Sequence, residues 1–174
     1  YPESKHVAGG PHIEIFKEKN LEVFDSISFG EAEENIKQII KDYRKNELKK
    51  VYTEPRKLDI NKYPYPDRKY LPKPAVVEKG VLNKKYEETP GTDVLFSRGC
   101  PFDCHFCANL TQGKTRFRNP LLIIEEINYL KKEYGVKGLA IKDDQSIPAN
   151  SKIARPSLEA IAKCDVVWRG QSRG

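Results

Sequence analysis

The sequence predicts an α/β protein whose parallel strands are connected by helices. In its last third, three short apolar segments alternate with two segments of helical periodicity, which is the pattern of a parallel sheet with crossover helices. Near the start, two short apolar segments precede one helical segment, which is also typical of an α/β sheet. In such folds, functional groups collect at the carboxyl ends of the strands.

Residues 1–48 are predicted to be the end of one α/β domain. Strands are expected at residues 6–8 and 25–29. The first strand runs into a turn at Gly9 and Gly10, because glycine tolerates backbone angles that other residues resist. A helix follows the second strand. Its apolar residues recur at helical spacing and are expected to face the core: Ala32, Ile36, Ile39, Ile40 and Tyr43.

Residues 49–90 are predicted to be a linker. Six of the chain's 12 prolines stand in this segment. Proline lacks the amide proton that helices and central strands need, so the segment is expected to wrap over a neighbouring surface, with extended backbone at residues 63–66. The chain is therefore divided into a domain end at 1–48, a linker at 49–90 and a second α/β region at 91–174.

The region 91–174 is predicted to contain three strands and two helices. Asn119 is expected to cap the first helix, with Pro120 at its first position and Gly135 at its end. The second helix is expected to begin at about Pro156. The strands are expected at residues 92–96, 138–141 and 165–168.

The composition indicates a folded protein and argues against two classes of partner. Hydrophobic residues make up 38% of the 174 residues, and no apolar run approaches the 18 or so residues of a membrane span. The net charge of +6 is spread among many acidic residues, so no nucleic-acid partner is expected. Clustered cysteines without a signal peptide indicate a reducing, cytoplasmic setting. The chain begins with tyrosine and contains no methionine, so we interpret it as a fragment.

Three of the four cysteines lie within eight residues as C-x3-C-x2-C: Cys100, Cys104 and Cys107. A structural zinc site takes four ligands, and His105 could complete a Cys3His site only from an awkward position between two of them. A [4Fe-4S] cluster normally takes four thiolates, so three from one loop would leave one iron open to a small molecule. The spacing favours this open cluster and leaves zinc as the alternative. Cys164 is expected to be a buried apolar residue.

The cysteine loop resembles the signature of radical S-adenosylmethionine enzymes. The wider match runs from Ser97 to Cys107, with Arg-Phe-Arg at 116–118, and is similar to the branch that carries an N-terminal cobalamin-binding domain. Gly-Gly-Pro-His at 9–12 and Gly-Glu-Ala-Glu at 30–33 resemble segments that close this domain. The resemblance implies the C-terminal part of a Rossmann-like cobalamin-binding domain, followed by the first strands of a partial (β/α) TIM-like radical S-adenosylmethionine barrel.

The resemblance implies three cofactors, namely a [4Fe-4S] cluster on the three cysteines, S-adenosylmethionine and cobalamin. The cluster would cleave S-adenosylmethionine with an electron from an external one-electron reductant, for methyl transfer or other radical chemistry. The substrate would be a small molecule or a peptide. Phe106, Asp143 and Asp144 would contact S-adenosylmethionine, and Gly9 and Gly10 would approach cobalamin. A solvated turn is the alternative for the aspartate pair. The alternative function is a non-catalytic zinc or iron–sulfur module that contacts nucleic acid or protein.

Overall fold

The computed structural model forms two compact units, each built around a three-stranded parallel sheet. The predicted α/β class with parallel strands is therefore confirmed. The helices that the structure describes are too short or too polar to cross a membrane. The described residues are 3–54, 58–107, 113–148 and 150–172. Unit 1 comprises Tyr1–Leu58 and Cys104–Thr111, and unit 2 comprises Asp59–Asp103 and Gln112–Gly174.

Unit 1 contains a sheet of three strands, β1 (Val7–Gly9), β2 (Ser26–Phe29) and β3 (Val51–Thr53), in the order β1-β2-β3 with all neighbours parallel. The third strand lies in the segment predicted as a linker, so this sheet continues past the predicted boundary at residue 48. Ile27, on the central strand, is fully buried. The elements of unit 1 in chain order are β1 (Val7–Gly9), α1 (Pro11–Phe16), β2 (Ser26–Phe29), α2 (Asn35–Arg44) and β3 (Val51–Thr53).

Helix α2 buries a different face from the one that its apolar spacing predicts. Ile39 is buried as expected, but Ile36, Ile40 and Tyr43 are 48%, 44% and 51% exposed. The buried face instead carries Asn35, whose side-chain amide donates hydrogen bonds to β2. A buried amide needs partners, so the rotation of the helix follows its hydrogen bonds as well as its apolar residues.

Unit 2 contains the second parallel sheet, whose strands in order are β4 (Gly91–Val94), β7 (Gly138–Ile141) and β8 (Val167–Arg169). It also contains a short antiparallel pair, β5 (Ser97–Arg98) and β6 (Arg116–Phe117). The antiparallel pair joins the two ends of the cysteine loop and was not predicted. The elements are α3 (Lys73–Val76), β4 (Gly91–Val94), β5 (Ser97–Arg98), β6 (Arg116–Phe117), α4 (Pro120–Tyr134), β7 (Gly138–Ile141), α5 (Ser151–Ala162) and β8 (Val167–Arg169).

The crossover helices of unit 2 confirm one predicted start and correct the other. The Asn119 side chain accepts a hydrogen bond from the Leu121 amide at 2.9 Å, and Gly135 ends α4 with a φ of 72°, as the sequence predicts. Helix α5 begins earlier than predicted, because Asn150 caps it and Pro156 lies inside it. A proline in this position removes one intrahelical hydrogen bond but does not stop the helix.

The core of unit 2 lies between the sheet and helices α4 and α5. Its side chains come from alternate strand positions and from one face of each helix, which is how a sheet and its crossover helices bury apolar surface. Cys164 belongs to this core and is 4% exposed, as predicted. The core residues are Val94, Phe96, Ile123, Ile127, Leu130, Val136, Leu139, Ile141, Ala160, Ile161 and Cys164.

Residues 59–90, which we call the docked segment, pack against the rest of unit 2. Arg68 donates to a carboxylate oxygen of Glu126 at 3.1 Å and to the backbone of β4. Arg118 donates to the carbonyl oxygen of Tyr63 at 3.0 Å. Residues 64–67 have no regular secondary structure, in line with the extended backbone expected at residues 63–66, but the rest of the segment contains helix α3 and three short 3-10 helices that its proline density argued against. Buried charged groups of α4 and its approach hold the segment in place.

Candidate functional site

The carboxyl ends of the strands in unit 2 lie at one edge of the sheet, because β4, β7 and β8 are parallel. Asp143 follows β7 and hydrogen-bonds to the chain that follows β4. One carboxylate oxygen accepts from the Phe96 amide at 2.7 Å, and the other accepts from the Ser97 hydroxyl at 2.8 Å. The backbone N–H of Gln171, just after β8, donates to the Ser146 hydroxyl oxygen at 3.2 Å. Hydrogen bonds therefore connect the three strand ends.

Asp143 is a buried carboxyl group whose two oxygens are both occupied. It is 1% exposed. Burial raises the pKa of the Asp143 carboxyl, and the donors of Ser97 and Phe96 offset part of this effect. Phe96 and Ser97 lie four and three residues before Cys100, so their hydrogen bonds to Asp143 fix where the chain enters the cysteine loop.

Asp144 differs from its neighbour in exposure. The backbone turns after β7, so that Asp143 points into the protein while Asp144 lies at the surface. The negative charge of Asp144 also raises the pKa of Asp143. Of the predicted pair, Asp144 is the carboxylate that a ligand can reach directly.

The three clustered cysteines are not joined in disulfides within the described part of the chain, with Cys107 exposed and the other two half-buried. Cys100 belongs to unit 2, whereas Cys104 and Cys107 belong to the segment grouped with unit 1. Within the described ranges, no group of three or more His, Cys, Asp or Glu residues is placed to hold a metal ion. The loop continues through residues 108–112, which lie outside the described residues. Shared metal ligation by the three thiols therefore stays a prediction, and the metal content of the full-length protein is the measurement that bears on it.

Phe106 projects from the same loop and is 93% exposed. An exposed aromatic ring is available to stack on a flat ligand. Its predicted contact with the adenine of S-adenosylmethionine stays a prediction.

The glycine pair predicted to approach cobalamin has local reasons to be glycine. Gly10 has a φ of 89°, a backbone angle that side chains disfavour, and it directly precedes α1. A Cβ atom at Gly9 would lie 3.3 Å from the carbonyl oxygen of Ser28 on the neighbouring strand. Both glycines therefore fit the turn and the sheet of unit 1 without reference to a ligand.

The sequence analysis missed Glu54, at the carboxyl end of β3. Its side chain is buried, and one oxygen accepts the Glu34 amide at 2.9 Å. Its other oxygen has no hydrogen-bond partner in the described part of the chain, and burial raises the pKa of this carboxyl. Cavities of about 340 and 380 Å³ both reach it. The residue was assigned to the linker because proline density concealed the short strand before it.

Comparison with curated proteins finds methyltransferases. A protein named as an uncharacterized methyltransferase of Pyrococcus horikoshii is 29% identical over 194 residues, which cover 96% of this chain and 39% of that protein. The bacteriochlorophyllide d C-8(2)-methyltransferase of Chlorobaculum tepidum is 28% identical over 171 residues, covering 93% and 36%. The C-12(1)-methyltransferase of the same organism is 26% identical over 164 residues, covering 92% and 34%. The chain thus spans between a third and two fifths of the length of these relatives. No protein-family model matches the chain, and no solved structure matches it either.

These names correct the identification drawn from the cysteine loop. They describe methyltransferases, and none of them names radical chemistry, an iron–sulfur cluster or cobalamin. The assignment to cobalamin-binding radical S-adenosylmethionine enzymes, its cluster chemistry and its cobalamin site are therefore replaced by similarity to methyltransferases. The alternative of a non-catalytic binding module is not supported, because the relatives are named as enzymes. The prediction of an enzyme is supported at this coarser level.

Proposed function

We propose that the chain is part of a methyltransferase that takes its methyl group from S-adenosylmethionine. The observation that carries the proposal is the similarity to proteins named as methyltransferases, which extends over more than nine tenths of the chain. In the net reaction, a methyl group replaces a hydrogen of the acceptor, S-adenosylmethionine becomes S-adenosylhomocysteine, and a proton is released. The acceptor is a small molecule or a peptide.

The donor site belongs, in this proposal, at the carboxyl edge of the sheet in unit 2. S-adenosylmethionine carries a positive sulfonium and a positive ammonium group, so an exposed carboxylate is a suitable partner. Asp144 supplies such a group directly beside β7. Phe106 is proposed separately to stack on the adenine, for which its 93% exposure leaves the ring available.

Asp143 has a positioning role in this proposal. Its hydrogen bonds at 2.7 and 2.8 Å keep Phe96 and Ser97 at the strand edge, and the cysteine loop begins from there. A buried carboxyl with two occupied oxygens supports the geometry of the edge, while the exposed neighbour meets the donor. The aspartate pair therefore divides into one residue for position and one for binding.

Two finer fold assignments accompany the proposal. The consecutive order β4-β7-β8, with a helix between each pair of strands, is the order in which a (β/α) barrel begins, although the described residues contain no closed barrel. The parallel sheet of unit 1 supports a Rossmann-like assignment for that unit. The proposed cytoplasmic setting rests on the sequence argument alone.

The proposal is tested by the binding of S-adenosylmethionine to the full-length protein. Replacing Asp144 with Ala is expected to weaken binding about ten- to a hundredfold, because one charge-assisted hydrogen bond is lost. Isothermal titration calorimetry gives the dissociation constants. Asp93→Ala is the matched control, since it removes an exposed carboxylate of the same unit that faces Lys142 at 3.6 Å. Equal affinities for the Asp144→Ala variant and the wild type would refute the contact assigned to Asp144. If the wild type does not bind S-adenosylmethionine, the proposal that it is the methyl donor is refuted.

A further inference from the structure

A groove of about 620 Å³ opens on unit 2, away from the proposed donor site. One wall is the C-terminal half of α4, and the other is the docked segment. Three tyrosine rings line it, Tyr65 from the docked segment and Tyr129 and Tyr134 from α4. Helix α4 runs back from the carboxyl edge of the sheet, so its C-terminal half lies toward the opposite edge. The volume is within the range of sites for small ligands.

The three rings form one aromatic cluster. The ring centres of Tyr65 and Tyr129 are 5.2 Å apart, and those of Tyr129 and Tyr134 are 5.7 Å apart with a near-perpendicular arrangement. The hydroxyl oxygens of Tyr129 and Tyr134 are hydrogen-bonded at 3.3 Å, and this bond raises the pKa of Tyr134 to about 12. Tyr134 is therefore a neutral phenol near pH 7, and the π faces of the aromatic rings present partial negative charge.

Both walls of the groove are held in place. Arg118 donates to the carbonyl oxygen of Tyr63 at 3.0 Å, two residues before Tyr65. Three residues after Tyr65, Arg68 pairs with the buried Glu126 of α4 at 3.1 Å. These contacts lie on either side of the tyrosine, so the groove is preformed and does not require a ligand to assemble it.

Among the lining side chains, acidic residues outnumber basic ones, whereas the whole chain has more basic residues than acidic ones. Asp67 and Glu133 contribute two carboxylates, whereas Lys69 is the one basic residue among the lining side chains that the structure describes. Lys69 already places its ammonium group 2.7 Å from a carboxylate oxygen of Asp67. Glu133 in turn lies 3.8 Å from the ammonium group of Lys132, which does not line the groove. Both ion pairs are exposed to solvent, so each is weak.

We propose that this groove binds an organic cation, with an alkylated ammonium group against the tyrosine rings and near Asp67. Aromatic faces attract such groups at distances of up to about 6 Å. The lining that the structure describes has two carboxylates and one ammonium group, and the lysine partners of both carboxylates are exposed, so that a bound cation can replace them. This arrangement favours a cation over an anion. It also favours a cation over a proline-rich peptide, which docks on aromatic rings without needing a charge. The bound cation competes with Lys69 for Asp67.

The test is a titration of the full chain with tetramethylammonium chloride, followed by NMR and compared with sodium chloride at the same ionic strength. Saturable shifts confined to the groove are expected. Tyr134→Leu and Tyr65→Leu should each weaken binding about two- to tenfold, because a ring is lost. Tyr43→Leu removes an exposed tyrosine of unit 1 and should leave the affinity unchanged.

Lys69→Gln gives the outcome that separates the ligand classes. Removing the internal cation frees Asp67, so binding of tetramethylammonium should tighten by up to about fivefold. Unchanged or weaker binding in this variant would overturn the proposal, as would shifts that sodium chloride reproduces. Binding of a proline-rich peptide without binding of tetramethylammonium would overturn it as well. Thermal unfolding of each variant shows whether it is folded. If one of the tyrosine or lysine variants does not fold, the other variants still test the proposal.

Discussion

Replacing Arg68 with Ala is expected to lower the free energy of unfolding by about 3–5 kcal/mol, because Glu126 is left as a buried charge without its partner. The two side chains are 11% and 2% exposed and meet at 3.1 Å. Urea denaturation of the full chain measures the change. Lys79→Ala is the matched control, because it breaks a pair at 2.6 Å whose side chains are 65% and 82% exposed. Its effect should be too small to measure.

The destabilisation of Arg68→Ala should also depend on pH. Burial raises the pKa of Glu126 above its ordinary value of 4.5, and Arg68 partly offsets this. Without Arg68 the folded-state pKa rises further, so the folded protein binds the proton more tightly than the unfolded chain does. Stability relative to the wild type should therefore fall as pH rises above about 4.5, and most of the loss should disappear at lower pH.

The double variant Arg68→Met, Glu126→Leu separates the energetic contribution of the ion pair from that of side-chain packing. Replacing both charged groups with apolar ones removes the unpaired charge, so most of the lost stability should return. A loss of stability in the single variant that is small and independent of pH would contradict the buried ion pair. It would then follow that Arg68 does not fix the docked segment to α4.

Replacing Asp143 with Ala should cost about 2–4 kcal/mol, since it leaves the buried amide of Phe96 and the hydroxyl of Ser97 without their acceptor. Asp143→Asn should cost less, because its carbonyl oxygen can still accept one of these bonds. Asp144→Ala is the matched control from the next position in the chain. It lies at the surface, so its effect on the free energy of unfolding should be smaller than that of Asp143→Ala.

The pH dependence of the Asp143 variants follows from the same burial. The folded-state pKa of Asp143 is raised, so its contribution to stability is largest at low pH and declines as pH rises above the ordinary value of 3.8. Asp143→Asn should remove this part of the pH dependence. If Asp143→Ala unfolds at the same urea concentration as Asp144→Ala, the positioning role is refuted.

The sequence predicted those parts of the fold that depend on local chemistry. The Asn-Pro start of α4 and the glycine at its end are capping signals, and the residues of β7 form an isolated apolar segment between turns. Both are specified within a few positions, so periodicity and capping suffice to locate them. The parallel arrangement follows from the alternation of strands and helices.

The missed features depend on contacts between residues far apart in the chain. The docked segment is fixed by Arg68 and Arg118, whose partners are more than fifty positions away. The rotation of α2 depends on Asn35 finding acceptors in β2, which apolar spacing does not encode. In the docked segment, the prolines predicted extended backbone at residues 63–66 but gave no information about what the segment packs against.

The sequence predicted that the two aspartates follow a strand, but not that one of them is buried and the other exposed. The alternation of strands and helices placed Asp143 and Asp144 at a carboxyl strand end, and the structure agrees. Adjacent residues can point to opposite sides after a strand, so the sequence could not show which carboxyl group is buried. The hydrogen bonds from Phe96 and Ser97 supply that distinction.

The most direct test of the methyltransferase proposal is the transfer of a labelled methyl group from S-adenosylmethionine by the full-length protein. The protein is incubated with labelled donor and a small-molecule or peptide extract, and the label in acceptor and the S-adenosylhomocysteine formed are both quantified. The account predicts one S-adenosylhomocysteine for each methyl group incorporated, with Asp144→Ala impaired at low donor concentration and Asp93→Ala like the wild type. Full-length protein that neither binds S-adenosylmethionine nor converts it to S-adenosylhomocysteine would contradict the account.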